Sequence, residues 1–122
     1  MAKLGPIISL KNITRQFTAG RGETITILDK VSLDIQRGSF NVIRGESGSG
    51  KTTLLRILGM LDTDFDGDYQ FEDVSVGDKN DWYLDELRAQ NIGFIFQEGR
   101  LFDHMTMRKN IHVPLEMHGM RD

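Results

Sequence analysis

The sequence predicts an α/β fold whose N-terminal end carries an antiparallel β-sheet. Two observations indicate this fold. Several segments before residue 37 alternate apolar and polar residues, which is typical of half-buried strands. After them, a β-rich run enters a glycine-rich loop, and a segment with apolar residues at helical spacing leaves it. The expected order of elements is therefore an antiparallel sheet, then a strand–loop–helix unit, then further helices.

Three N-terminal segments are predicted to be strands of the antiparallel sheet. Ile7–Asn12, Thr24–Leu28 and Val31–Ile35 each alternate apolar and polar side chains. The loop Thr18–Glu23 lies between the first two segments and contains two glycines, which suits a reversal of the chain.

The middle of the chain is predicted to form the strand–loop–helix unit. Phe40–Ile43 is a short β-rich run that ends just before the glycine-rich loop. Thr52–Leu61 follows the loop and is predicted to be an amphipathic helix. Its apolar face is formed by Leu54, Leu55, Leu58 and Leu61.

The remaining segments predict a mixture of strands and helices. Tyr69–Val76 is expected to be extended, and Trp82–Gln90 is expected to be helical. Ile92–Phe96 has the short apolar run of a buried strand. Thr106–Met117 is predicted to be a helix whose extent Pro114 limits.

Composition and charge narrow the class of protein. The 122 residues include no cysteine, which excludes a disulfide framework and a cysteine-ligated zinc site. We find neither an apolar run of the ~18 residues that a membrane span needs nor an apolar leader, so we expect a cytoplasmic protein. The net charge of −3 argues against a nucleic-acid partner.

The charges are unevenly distributed along the chain. Residues 1–61 carry nine Lys/Arg against four Asp/Glu, whereas residues 62–86 carry ten acidic residues against one lysine. The basic first half suits an anionic ligand. The acidic middle is either a solvated face or a cation site.

The strongest functional signal is a phosphate-binding motif. Gly45–Thr52 fits the pattern G-x-x-x-x-G-K-[ST] at every specified position. Glycines let backbone N–H groups point at a phosphate, Lys51 can neutralise its charge, and the Thr52 hydroxyl can bind Mg²⁺. The alternative, an ordinary glycine-rich turn between strand and helix, is less favoured. The candidate phosphate-binding residues are Gly45, Glu46, Ser47, Gly48, Ser49, Gly50, Lys51, Thr52 and Thr53.

The sequence around this motif resembles the nucleotide-binding domain of ABC transporters. The resemblance is carried by Leu28–Gly38, by Ser47–Leu55 and by Ile92–Gln97, which is similar to the segment leading into the family's Q-loop. Pro114-Leu115 resembles the macrolide-export and lipoprotein-release subfamily. The resemblance implies a P-loop NTPase core of the ABC type, joined to the N-terminal antiparallel β-subdomain.

The resemblance assigns roles to two residues outside the phosphate loop. Phe17 matches the aromatic residue that stacks on adenine, although its position alone would also fit a core residue. Gln97 matches the glutamine that contacts Mg²⁺, and taken alone it would be an ordinary turn residue. Lys51 and Gln97 are therefore the candidate catalytic residues, Thr52 and Gln97 are the candidate Mg²⁺ ligands, and ATP and Mg²⁺ are the implied cofactors.

The resemblance also implies partners and a location. Domains of this family act with transmembrane transporter subunits and with a second nucleotide-binding domain, at the inner face of the membrane. Within this chain it predicts an antiparallel β-subdomain over residues 1–38, a P-loop core to the Q-loop over residues 39–97, and the start of a helical subdomain over residues 98–122. Strands without neighbours would leave open sheet edges, so we expect the chain to self-associate.

Several catalytic elements of the family have no counterpart in residues 1–122. These are the signature loop, the Walker B strand with its catalytic glutamate, and the switch histidine. The chain is therefore predicted to be an N-terminal portion, truncated before the signature loop and unable to hydrolyse ATP alone. The alternative is a non-hydrolysing nucleotide-binding or assembly module. His104, His112 and His118 lie outside the family's switch context and are predicted to be surface residues.

A calcium-binding loop is a rival interpretation of the acidic segment Asp62–Asp73. Carboxylates stand at loop positions 1, 3 and 5, and Gly67 stands at position 6 as the motif requires. Asp73 replaces the glutamate expected at position 12, and the residues after Gly67 predict a strand instead of a helix. An ordinary connection between elements is therefore the favoured interpretation.

Overall fold

The chain divides into two compact units, Met1–Asp81 and Trp82–Asp122. The computed structural model describes residues 4–117 and residue 119. The first unit contains a four-stranded antiparallel sheet and one helix. No helix within the described residues is both long and apolar enough to cross a membrane.

A long hairpin forms the framework of the first unit. β1 (Pro6–Thr18) pairs antiparallel with β2 (Thr24–Gln36), and a short glycine-containing loop joins them. The predicted N-terminal strands are confirmed. Both strands run further than the sequence pattern indicates, and the two segments predicted between residues 24 and 35 are one continuous strand.

Strand bulges explain why the alternating pattern stops where the strands do not. Asn12 and Lys30 adopt positive φ values of 53° and 50°. The Asn12 backbone N–H donates to Ser32 Oγ at 2.9 Å, and the Lys30 backbone N–H donates to Thr14 Oγ1 at 3.1 Å. Because side-chain hydroxyls accept these hydrogen bonds, each strand continues through the irregular part of the ladder.

β3 (Asp66–Phe71) and β4 (Val74–Ser75) complete the sheet in the order β2-β1-β3-β4. The segment predicted to be extended, Tyr69–Val76, is extended in these two strands, but the chain turns between them at residues 72–73 and enters a 3-10 turn at Val76. Gly67 has φ 107°, and a Cβ there would lie 2.4 Å from the Asn12 carbonyl oxygen. The β1 bulge and β3 can therefore approach each other this closely only at a glycine.

The helix α1 (Lys51–Leu58) confirms a helix after the glycine-rich loop, but it ends three residues before the predicted Leu61. Its buried face contains Ile57, whereas Leu55 and Leu61 of the predicted apolar face are exposed. The Tyr69 hydroxyl donates a hydrogen bond of 2.6 Å to the carbonyl oxygen of Leu58, the last residue of α1. The buried apolar residues of the first unit come from the sheet, from α1 and from the segments that follow them: Leu10, Ile13, Leu28, Leu54, Ile57, Leu58, Met60, Tyr69, Phe71 and Val76.

The second unit contains helices where helices are predicted. α2 (Asp81–Asn91) begins at the boundary of the two units, after a 3-10 turn at Val76–Asp78. α3 (Met107–Met117) contains Pro114 and ends three residues after it.

The Asn110 side chain organises the segment that precedes α3. Its Oδ1 accepts a hydrogen bond of 2.7 Å from the Phe102 backbone N–H. Its Nδ2 lies 3.1–3.3 Å from the carbonyl oxygens of Phe102, Met105 and Thr106. One amide side chain thus fixes the turn that leads into the helix.

Two strand predictions are wrong. Phe40–Ile43 and Ile92–Phe96 form no regular strand, and most of their side chains are exposed, including Phe40 at 93% and a fully exposed Ile95. A strand exists only where a neighbour completes its backbone hydrogen bonds, and the sheet of the described residues contains neither segment. Apolar composition alone therefore gave the wrong structure for both runs.

Candidate functional site

The phosphate-binding motif forms an exposed loop that leads directly into α1. Gly48 and Gly50 have φ values of 80° and 94°, in the left-handed region that favours glycine. Gly50 also approaches β2 closely, because a Cβ on it would lie 3.0 Å from the Ile27 carbonyl oxygen. Gly50, the residue just before α1, is therefore required to be glycine both by its backbone conformation and by its close approach to Ile27.

The Lys51 ammonium group folds back into this loop. Its Nζ lies 2.6 Å from the Gly45 carbonyl oxygen, 2.5 Å from the Glu46 carbonyl oxygen and 3.3 Å from Ser49 Oγ. The positive charge is thus held against the loop backbone by neutral acceptors. A phosphate oxygen is a stronger acceptor for an ammonium donor than a neutral carbonyl oxygen.

At the N-terminus of α1, no side chain neutralises the partial positive charge of the helix dipole. No side chain caps the helix, and its first turn contains no acidic residue. The first backbone hydrogen bond runs from the Leu54 N–H to the Gly50 carbonyl, and the N–H groups before it have no acceptor inside the helix. An anion beside these groups would gain both hydrogen bonds and the favourable end of the helix dipole.

The donor set suits a magnesium ion carried by a nucleotide better than a metal held by protein side chains alone. Thr52 is exposed in the first turn of α1, so its hydroxyl is accessible. Across the part of the chain that the structure describes, no group of three or more His, Cys, Asp or Glu residues could hold a metal ion. Mg²⁺ commonly takes few protein ligands and completes its shell with phosphate oxygens and water.

Phe17 lies near the end of β1, opposite Ile25 on β2. The residue is 42% exposed, so the structure places it at the surface and not in the core. The Arg15 guanidinium carbon lies 4.0 Å from the ring centroid. Phe17 and the phosphate loop both belong to the first unit.

Gln97 belongs to the second unit and is exposed in a bend. It follows a pair of stacked rings, since the centroids of Phe94 and Phe96 lie 5.8 Å apart with 14° between their planes. The Arg100 guanidinium lies 4.5 Å from the centroid of Phe96. The stacked rings precede this bend and Arg100 follows it, so the contact between Arg100 and Phe96 spans the bend.

The sequence prediction missed Arg15. Its Nε donates to Asp62 Oδ2 at 2.9 Å, and its Nη1 lies 2.9 Å from Asp64 Oδ2. Its spacing of two residues from Phe17 placed both side chains on one face of a strand, which was the available signal. The acidic partners lie 47 and 49 residues away in sequence, so no local pattern indicated them.

In the acidic segment, the structure favours the ordinary connection over the calcium loop. Two of its proposed ligands, Asp62 and Asp64, pair with Arg15. The second half of the loop is strand β3, and among the described residues no group of three or more His, Cys, Asp or Glu residues could hold a metal ion.

The three histidines show no shared site within the described residues. The His104 ring meets the Phe102 ring edge-on at 6.0 Å and is exposed, as predicted. His112 is half-buried, and its Nε2 lies 3.2 Å from Glu116 Oε1. His118 lies outside the described residues.

Comparison with known proteins gives concordant results. Residues 28–122 match the family model described as ABC transporter. The chain is 43% identical over 108 residues to the macrolide export ATP-binding/permease protein MacB of Pectobacterium atrosepticum, a match that covers 88% of this chain and 16% of that protein. It is 40% identical over 109 residues to the MacB protein of Pasteurella multocida, which covers 89% of this chain and 17% of that protein.

The fold also matches solved structures. A dimeric structure of MJ0796, described as a bacterial ABC transporter cassette, superposes with a TM-score of 0.86 at 37% identity over 94% of this chain. A second MJ0796 structure, a dimer bound to ADP and Pi, gives the same TM-score at 36% identity. The chain spans 49% of the length of these structures and 16–17% of the length of the two curated relatives.

Proposed function

The chain belongs to the ABC transporter family of ATP-binding domains, and from this premise we propose that it binds ATP together with Mg²⁺ as part of the ATPase subunit of a transporter. One observation carries the proposal. The Lys51 ammonium group is held inside the glycine loop, at the N-terminus of an uncapped helix. A charged donor, free N–H groups and a helix dipole converge there, which is what a polyphosphate requires.

Each site residue has a proposed part in binding. The backbone N–H groups of Gly45–Thr53 surround the phosphates, and Lys51 exchanges its carbonyl acceptors for phosphate oxygens. Thr52 and Gln97 are the proposed Mg²⁺ ligands, and Phe17 is the proposed platform for adenine. Bound Mg²⁺ supplies charge neutralisation between the terminal phosphates.

We also propose partners and a location. MacB is named an ATP-binding/permease protein, and the MJ0796 cassettes are described as dimers. These descriptions support a chain that works beside a membrane permease component and a second nucleotide-binding domain. We further propose a position at the inner face of the membrane, which the resemblance to the family implies.

The proposed internal division is a β-subdomain over residues 1–38, a P-loop core over residues 39–97 and the start of a helical subdomain over residues 98–122. Residues 1–122 contain the phosphate loop but no catalytic glutamate of the family type. We therefore expect these residues alone to bind ATP without steady turnover.

Calorimetric titration of the 122-residue chain with ATP and Mg²⁺ tests binding. Lys51→Ala should weaken the affinity roughly 10- to 100-fold, because it removes charge-assisted hydrogen bonds to the phosphates. Lys109→Ala is the matched control, since it removes an exposed lysine of the second unit and should leave affinity unchanged. Equal affinity of Lys51→Ala and the unaltered chain would contradict the proposed site.

Release of inorganic phosphate tests the absence of turnover. The unaltered chain and Lys51→Ala should both show only background release. Steady release that Lys51→Ala abolishes would show that these residues hydrolyse ATP alone and would overturn that part of the proposal.

A further inference from the structure

Arg15 occupies an unusual position between the aromatic ring of β1 and the acidic segment after α1. Its guanidinium carbon lies 4.0 Å from the centroid of the Phe17 ring. The same group donates to Asp62 Oδ2 at 2.9 Å and to the Gln16 carbonyl oxygen at 2.6 Å, and contacts Asp64 Oδ2 at 2.9 Å. The Arg15 side chain is only 11% exposed.

These contacts fix the guanidinium group in one orientation. A planar guanidinium that forms several hydrogen bonds loses little further entropy when it also stacks on a ring. Asp62 is itself ordered, because its backbone N–H donates to the Arg56 carbonyl oxygen and its Oδ1 accepts from the Asp64 N–H. The Phe17 ring is therefore held against a rigid cation and not left to rotate among solvent-exposed rotamers.

The arrangement also determines which part of Phe17 can meet a ligand. The guanidinium covers one face of the ring, while 42% of the residue remains exposed. A planar base needs a flat and immobile aromatic face for stacking. The uncovered face of the Phe17 ring is flat, and it is held still because the Arg15 guanidinium packs on the opposite face.

We propose that Arg15 is a positioning residue for nucleobase binding, which clamps the Phe17 ring so that its open face receives the base of the nucleotide. The proposal rests on the function proposed above, in which Phe17 stacks on adenine. Asp62 and Asp64 contribute to this positioning, since their carboxylates hold the Arg15 guanidinium in place. These two aspartates follow α1, which begins at the phosphate loop. The contacts of Arg15 therefore link Phe17 to the segment that leaves this helix.

Affinity for ATP compared with affinity for inorganic tripolyphosphate separates a base effect from a phosphate effect. Both ligands are titrated into the 122-residue chain in the presence of Mg²⁺. Arg15→Met keeps an apolar side chain beside the ring but removes the charge and the hydrogen bonds. It should weaken ATP binding by about 5- to 10-fold and leave tripolyphosphate binding within about twofold. The hypochromism of the adenine band on binding should decrease in parallel.

Arg37→Met is the matched control. Arg37 also lies in the first unit and pairs with a carboxylate, Glu72, at 2.9 Å. Its substitution should change neither affinity. Circular dichroism establishes that each variant is folded, and Arg15→Lys serves as a second, milder variant that should give an intermediate loss of ATP affinity if Arg15→Met does not fold.

A double-mutant cycle shows whether Arg15 acts through the ring. In a Phe17→Leu background, Arg15→Met should have no further effect on ATP affinity, because the platform it positions is already gone. A persistent effect in that background, or an equal loss for tripolyphosphate, would overturn the inference. An unaltered chain that binds neither ligand would contradict the proposed function itself, whereas tight ATP binding unaffected by Arg15→Met would contradict only the role of Arg15.

Discussion

At the scale of single residues, Tyr69 links the sheet to the end of α1. The residue is 1% exposed, and its hydroxyl donates to the Leu58 carbonyl oxygen at 2.6 Å. Burial raises the pKa of Tyr69 well above its ordinary value near 10. One side chain therefore contributes apolar packing, a buried hydrogen bond and a pH-dependent part of the stability.

Tyr69→Phe should lower the free energy of unfolding by about 1–2 kcal/mol at neutral pH, because it removes a buried hydrogen bond. Above about pH 10 the phenol ionises in the unfolded chain but not in the folded one, so the unaltered chain loses stability as pH rises. The variant lacks this loss. The difference in the free energy of unfolding between the unaltered chain and Tyr69→Phe should therefore decrease as pH rises, by at most about 1.4 kcal/mol per pH unit.

Urea unfolding at neutral pH and between about pH 9 and 11 measures this difference. Phe65→Leu is the control, because Phe65 packs near the Tyr69 ring at 6.3 Å but carries no hydroxyl. It should lower stability and retain the alkaline loss. If the free energies of unfolding of Tyr69→Phe and the unaltered chain differ by the same amount at every pH, the pKa of Tyr69 is not raised by burial.

The residues of the candidate site differ in how far the sequence predicts them. Gly50 and Lys51 were predicted because the chemistry of a phosphate loop restricts which residues can stand at fixed spacings. Arg15 was not predicted, because its partners Asp62 and Asp64 reach it only when the segment after α1 folds beside β1. A sequence motif can predict which residues lie together within one loop. Contacts between segments that are distant in sequence can be identified only from the folded structure.

At the scale of elements, the same contrast separates the correct strands from the wrong ones. β1 and β2 were predicted because a hairpin supplies each strand with its neighbour within a few residues, and alternation reports the buried face. Phe40–Ile43 and Ile92–Phe96 have strand-like composition, yet no described segment pairs with either. Composition gives the tendency to be extended, but pairing decides whether a strand forms.

The element-scale prediction concerns the turn before α3. Asn110→Ala should increase the hydrogen-exchange rate of the Phe102 amide about tenfold or more, because that amide donates to Asn110 Oδ1 at 2.7 Å. Exchange monitored by NMR measures the effect at this single amide. Asn91→Ala is the control, since the Asn91 side chain bonds only locally to the Leu87 carbonyl oxygen at 2.8 Å. Unchanged exchange at Phe102 in Asn110→Ala would show that the turn holds without this side chain.

At the scale of the whole molecule, two of the segments that expose apolar side chains are extended runs, Phe40–Ile43 and Ile92–Phe96. Val42 is 64% exposed and Phe40 is 93% exposed in the first unit, and Ile95 is fully exposed in the second. Exposed extended segments with unpaired backbone groups are templates for pairing with another chain. One side of the sheet ends at β2, a 13-residue strand whose outer edge has no neighbouring strand among the residues that the structure describes.

We therefore expect the 122-residue chain to associate with itself as its concentration rises. Val42→Lys and Ile95→Lys should each shift the equilibrium toward monomer, because a charge on an extended run opposes close pairing. Leu4→Lys is the control, since Leu4 is also fully exposed but lies outside both runs. Sedimentation velocity over a range of concentrations distinguishes the species. A single monomeric species of the unaltered chain at every concentration would contradict the expected self-association. If all three variants associate equally, the contact lies outside both runs, and the outer edge of β2 is then the next surface to alter.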